Sequence, residues 1–147
     1  MALRMSALVI GNAGYEYVEE LQNPENDAYD LGCALESSGF SVITKTDCNS
    51  LDMDRALKQF GQALADSDVG LFFFAGHGMQ IDGENYLAAI NTDGSDEIAA
   101  KYSSLPLNRV IEVIEKSGCA TSIIVLDACR NNPFERAWSR STTTRGL

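Results

Sequence analysis

The sequence predicts an α/β fold, an open and mostly parallel sheet flanked by helices. Two observations lead there. Apolar runs at Met5–Ile10, Val69–Ala75 and Ile123–Leu126 are short, rich in branched or aromatic residues, and apolar at consecutive positions, the pattern of strands covered on both faces. Between them lie stretches with apolar or small residues every three or four positions, closed by glycine, so strands alternate with helical crossovers that return each strand parallel to its neighbour. At 147 residues and 45% hydrophobic, the chain can bury one real core and is too short for two domains.

Local chemistry justifies each element in order. Met5–Ile10 is the first strand, left through the turn-rich Gly11-Asn12-Ala13-Gly14. Asn23 can cap a helix with Pro24 at its first position; Ala28, Leu31, Ala34 and Leu35 give it one buried stripe, and Gly39 ends it. Phe40–Thr44 is the second strand, Asn49 or Ser50 caps a second helix to about Ala65, and Val69–Ala75 is the Phe-rich third strand. Asp82-Gly83, between alternating apolar residues from Met79 to Leu87, predicts a small hairpin projecting from that strand. Ser104, before Pro106, is expected to start a third helix with stripe Leu107, Val110, Ile111 and Ile114, closed by Gly118. A fourth strand, Ile123–Leu126, runs to Asp127-Ala128-Cys129-Arg130 and a turn at Asn132-Pro133.

Composition removes several function classes. A formal charge of −10, from 21 acids against 11 bases, disfavours nucleic acid and anionic membranes as partners and favours a cationic substrate. The four cysteines (Cys33, Cys48, Cys119 and Cys129) contain no C-x-x-C pair and no metal-ligand spacing, and one histidine cannot complete a zinc site, so no metal is expected. No apolar run reaches membrane-spanning length and no signal core follows Met1, so reduced thiols and a cytoplasmic location are expected. Cys33 and Cys119 read as small buried side chains and Cys48 as a loop thiol.

In a parallel sheet, sites form beyond the carboxyl ends of the strands. Gly11-Asn12, His77 and Asp127-Cys129 all fall at such ends. A thiol at its ordinary pKa of about 8.5 is only a few per cent thiolate at neutral pH, and His77 on a neighbouring strand is the group that could activate Cys129. Asp127 at the end of a strand expected to be buried calls for a cationic partner, because an unpaired buried carboxylate is costly. That partner is either Arg130 or a basic substrate.

These residues carry a family resemblance. Cys129 lies 52 positions after His77, close to the spacing of about 50 seen in caspases. Gly76-His77-Gly78 and Asp127-Ala128-Cys129-Arg130, each after an apolar strand, resemble the caspase-like cysteine peptidases, and the metacaspases, paracaspases and their bacterial relatives more than animal caspases. The similarity extends from Ala7–Asn12 through Leu21–Ala28 to Asn132-Pro133, and corresponds to the large subunit of that family. It implies strand order 2-1-3-4, Cys129 as nucleophile, His77 as acid/base, and the backbone amides of Gly78 and Cys129 as the oxyanion site. It also implies that Asp27 and Asp127 bind a basic P1 side chain, giving cleavage after Arg or Lys. No cofactor is implied, and the short segment Ile81–Asn85 argues against the acidic insertion of calcium-requiring metacaspases.

The expected organisation is a large-subunit domain at 1–135 and a polar tail at 136–147 leading to a small-subunit region, without which the catalytic domain is incomplete. Arg140, then Arg145 and Arg136, are candidate self-processing sites in that tail. The alternative is a catalytically incompetent caspase-like module serving interaction or regulation. A phospho-receiver is rejected, since Gly11-Asn12 and His77 stand where that fold needs acids.

Overall fold

The structure, a computed structural model, describes residues 2–129 and 132–134. The elements in order are β1 (Met5–Gly11), α1 (Pro24–Ser37), β2 (Ser41–Thr46), α2 (Ser50–Leu64), β3 (Val69–Ile81), β4 (Glu84–Ala88), α3 (Glu97–Tyr102), β5 (Ser104–Pro106), α4 (Leu107–Ser117) and β6 (Thr121–Cys129). The parallel strands lie in the order β2-β1-β3-β6, and the end of β3 continues into an antiparallel extension through β4 to β5. This is the mostly parallel open sheet expected, with the fourth parallel strand in the place the resemblance implied.

Alternate residues of the central strands feed two separate cores, as the period of two requires. Leu8, Ile10, Phe72 and Phe74 pack with Met53, Leu57, Phe60, Val110 and Ile114 of α2 and α4. Ala7, Val9, Leu71 and Phe73 face α1 through Ala28 and Leu35. Gly11 is needed for that packing, because a Cβ there would lie 2.7 Å from the Pro24 carbonyl carbon and 2.8 Å from the Ala28 Cβ. The start of α1 is thereby drawn against the end of β1. A third core, built from Tyr15, Met79, Ile81, Tyr86, Ala88, Ala100 and Phe134, lies under the hairpin.

Several local expectations are met through identifiable chemistry. The Asn49 side chain accepts the Asp52 amide at 2.8 Å and caps α2, and Gly118 ends α4 in the left-handed region at φ 75°. Asp82 and Gly83 both have positive φ, 52° and 79°, as a type I′ hairpin turn demands. The hairpin's first arm is β3 itself, which runs on to Ile81.

Other expectations are corrected. Ser104–Pro106 is not the start of a helix but the short strand β5, paired with β4. A residue before proline is pushed toward extended backbone, and Pro106 itself, at φ −64° and ψ 133°, is the N-cap of α4. The short helix α3 went unforeseen because one turn, capped by Asp96 on the Ala99 amide at 2.7 Å, is too brief for periodicity to register. Cys33 is exposed where a buried side chain was expected, whereas Cys48 lies in the loop between β2 and α2 as expected and is buried there; Ala34 likewise points out, and Gly32 takes the buried place against Thr44.

The largest departure concerns β6. Ile123, Ile124, Val125 and Leu126 are 44%, 37%, 40% and 41% exposed, although their sequence reads as a strand covered on both faces. Among the described residues β6 pairs with β3 alone. Among the described residues its outer edge is open, and neither face receives the helical cover that β1 and β3 have.

Candidate active site

β3 changes partners at the site. Its ladder with β1 ends at Gly11↔Ala75, its ladder with β6 runs on to His77↔Cys129, and its antiparallel pairing with β4 begins at Gly78↔Leu87. His77 therefore sits at the joint, and the Cα of Cys129 is its register partner on the neighbouring strand. Parallel pairing sets the end of β6 beside His77, because the two strands run in one direction, while β3 continues to Ile81.

The loop after β1 is tied down before it reaches His77. Asn12, fully buried, accepts the Cys48 amide at 2.8 Å and donates through Nδ2 to the Ala88 carbonyl at 3.1 Å, while its own amide donates to the Ala75 carbonyl. One Asp47 carboxylate oxygen accepts the amides of Ala13 and Gly14, both at 2.9 Å. The Leu21 amide returns to the Ala13 carbonyl and closes residues 13–21 into a compact loop.

Two groups of this loop reach His77. The Glu19 carbonyl lies 2.9 Å from Nε2, and since a carbonyl can only accept, Nε2 carries the proton of the neutral ring. The Tyr15 hydroxyl accepts the His77 backbone amide at 2.8 Å. In the neutral ring the lone pair is then on Nδ1, which is buried and has no hydrogen-bond partner among the described residues. A buried, unpartnered polar atom is uncommon in folded proteins. Here it lies on a residue 7% exposed whose strand neighbour is Cys129.

Asp27 and Asp127 are 100 positions apart in sequence, in the first turn of α1 and at the end of β6, and line one cavity of about 200 Å³ with Leu21, Pro24, Ala75 and Gly76. Both are exposed side chains, so the cost of burying Asp127 does not arise, and its negative charge faces an open cleft. A second hollow of about 500 Å³ is lined by Gly78, Met79, Tyr86, Leu87, Leu126 and Ala128, between the hairpin and β6. Arg130, Arg136, Arg140 and Arg145 lie outside the described residues.

Burial pushes the Cys48 thiol up to about 11, with Asp52 adding to the shift, so it stays protonated. Beside the site, burial would raise the Asp47 carboxyl, but the hydrogen bond from Glu25 and those from the Gly14 and Ala13 amides outweigh it and hold the group below its usual range. Glu25 is raised in turn, chiefly by that hydrogen bond and then by the charge of Asp47. Among the described residues no three His, Cys, Asp or Glu side chains gather as a metal site.

The sequence had singled out His77, Gly78, Cys129, Asp27 and Asp127 but not Tyr15, the Glu19 carbonyl or Asp47. A backbone carbonyl has no residue-type signature. Tyr15 had only a faint one, an aromatic residue just past a strand end.

Comparison with known proteins agrees with this architecture. The chain is 26% identical over 124 residues to human mucosa-associated lymphoid tissue lymphoma translocation protein 1, covering 84% of this chain and 15% of that protein. It is 25% identical over 139 residues to dog caspase-12, covering 90% of this chain and 34% of that protein. The chain thus spans about a third or less of the length of these relatives. The profile of the Caspase domain family matches residues 4–145, so the chain belongs to the caspase domain family of cysteine peptidases.

Proposed function

We propose that this chain is a cysteine endopeptidase module that cleaves after Arg or Lys through a Cys129–His77 dyad. The observation that carries the reading is the buried Nδ1 of His77, without a partner among the described residues, on the strand position opposite Cys129. Nδ1 takes the thiol proton, and the resulting imidazolium keeps its Nε2–H on the Glu19 carbonyl. The thiolate sulfur bonds to the scissile carbonyl carbon, and the oxygen's charge is held by the amides of Gly78 and Cys129. Collapse breaks the C–N bond as Nδ1–H protonates the leaving amine. Water, deprotonated by Nδ1, then hydrolyses the acyl-enzyme and restores the thiol.

The basic P1 preference rests on the shared cavity of Asp27 and Asp127 and on the net charge of −10. Full competence is assigned to a form in which a further strand, from the small-subunit region, pairs along the open edge of β6. An apolar edge with neither Lys nor Pro in Ile123–Leu126 is a pairing surface. The domain is placed at 1–135, with 136–147 as a linker in which Arg140, then Arg145 and Arg136, are self-processing sites. Unpaired thiols at Cys33, Cys48 and Cys119 fit a cytoplasmic location, and no helix among the described residues is long and apolar enough to cross a membrane.

An arginine-directed covalent thiol inhibitor, followed by intact mass and peptide mapping, tests the dyad. One adduct, on Cys129 and absent from Cys129→Ala and reduced in His77→Ala, is expected. The open apolar edge of β6 also favours a second reading, a caspase-fold interaction module without catalysis. Equal labelling of the exposed Cys33, or none on Cys129, would favour it over the peptidase.

A further inference from the structure

We propose that Tyr15 is a positioning residue for His77, fixing through its hydroxyl the backbone from which the imidazole presents Nδ1. The proposal rests on the assignment of His77 as the acid/base group. Its argument begins with a hydrogen-bonding problem in β3. The ladder with β1 stops at Ala75, whose carbonyl takes the Asn12 amide, and pairing with β4 begins only at Gly78, so the strand partner is interrupted between the two. The next amide directed the same way, two residues on, belongs to His77 and is buried. Left alone it would be a buried orphan that has lost its water and gained no partner.

The Tyr15 hydroxyl fills that place. It accepts the His77 amide at 2.8 Å and donates to the Ala88 carbonyl at 3.3 Å, so one oxygen ties the loop after β1, the joint of β3 and the end of β4. The ring then lies against the imidazole, with centroids 4.5 Å apart and planes tilted by 58°. Tyr15 is 5% exposed and is itself held by the loop whose Glu19 carbonyl orients Nε2. His77 is therefore gripped at its backbone by the hydroxyl, on its ring by the aromatic face, and at Nε2 by the carbonyl. Gly76 reserves the space, since a Cβ there would collide with the Tyr15 hydroxyl. Tyr15 does not line the cavity of Asp27 and Asp127, so it acts on the orientation of the base rather than on substrate binding.

The chain has one histidine, so its ring nitrogens can be read by long-range proton–nitrogen NMR without ambiguity. In the parent, the neutral form of His77 should be a single tautomer, protonated at Nε2. Tyr15→Phe, which keeps the ring and removes the oxygen, should give mixed or broadened ring-nitrogen signals. In peptidase-active protein, kcat should fall about ten- to a hundredfold with KM within about twofold, the scale of a misplaced catalytic group. Where Tyr15→Phe does not fold, Gly76→Ala, which drives a methyl group into the same hydroxyl, should disturb the same signals. Ring-nitrogen signals in the folded variant identical to the parent's would overturn the proposal whatever the activity. Loss of the tautomer in a chain that never labels at Cys129 would leave the positioning role standing and overturn the peptidase reading instead.

Discussion

Replacing Asp127 by Asn removes one negative charge from the cavity it shares with Asp27 while keeping nearly the same volume. At a separation of about 4 Å and an effective dielectric of about 20, a carboxylate and a guanidinium attract by roughly 4 kcal/mol before solvent is counted. Both carboxylates are exposed, so water competes and the net value belongs near the low end of a charge-assisted hydrogen bond, about 1.5 kcal/mol. Asp127→Asn should therefore lower kcat/KM for a P1 Arg peptide about tenfold. The same substitution in Asp27 should do likewise. Because the two acids line one cavity, the double variant should depart from simple additivity. Paired peptides carrying Arg or its uncharged analogue citrulline at P1, measured at low and high salt, provide the assay. The citrulline peptide should barely respond, and the Arg deficit should shrink as salt screens the parent's attraction. An equal loss on both peptides would show that Asp127 supports the cleft's shape rather than reading charge, and the reasoning would fail.

Asp47→Asn should destabilise the fold at pH 7 by about 1–2 kcal/mol, since two amides then meet a neutral acceptor, lowering Tm by about 2–8 °C. The folded-state value of Asp47 is lowered, so its contribution is present above the usual carboxylate range and is lost as pH falls through the folded value. Glu25 is raised, so its contribution is present below its ordinary value and fades as pH rises through the folded one. Thermal melts of parent and variant should thus converge toward acid; a pH-independent gap would contradict the pair. Gly11→Ala should cost about 1–3 kcal/mol by forcing α1 off β1, seen as a lower Tm together with a weaker Arg preference, because α1 carries Asp27. In hydrogen exchange, alternate amides of β6 should exchange fast in this chain and become protected when a further strand pairs with it, while Val125→Lys should block that protection. Uniform protection of β6 in the chain alone would mean its outer edge is already covered.

Strand and helix periodicity, the glycine stops at Gly39 and Gly118, and the Asp82-Gly83 turn were legible in the sequence because each expresses a local rule, of side-chain spacing or of φ. Helix α3 and strand β5 were not, being too short for a period and fixed by a cap and a proline. The sequence by itself placed Asp127 and Cys129 at a strand end, where the apolar run stops, but it ended the third strand before His77, which the structure has inside β3 where the partner changes from β1 to β4. Only the tertiary structure decided which ends meet, through the β3–β6 register that sets His77 beside Cys129 and the close approach at Gly11 that brings Asp27 to the cavity of Asp127. It alone disclosed the Glu19 carbonyl and the Tyr15 hydroxyl, because a hydrogen bond spanning 58 or 62 residues leaves no trace in local pattern. Four apolar residues in β6 read as covered strand. Whether a strand is covered depends on what packs beside it, and that is a property of neighbours distant in the chain.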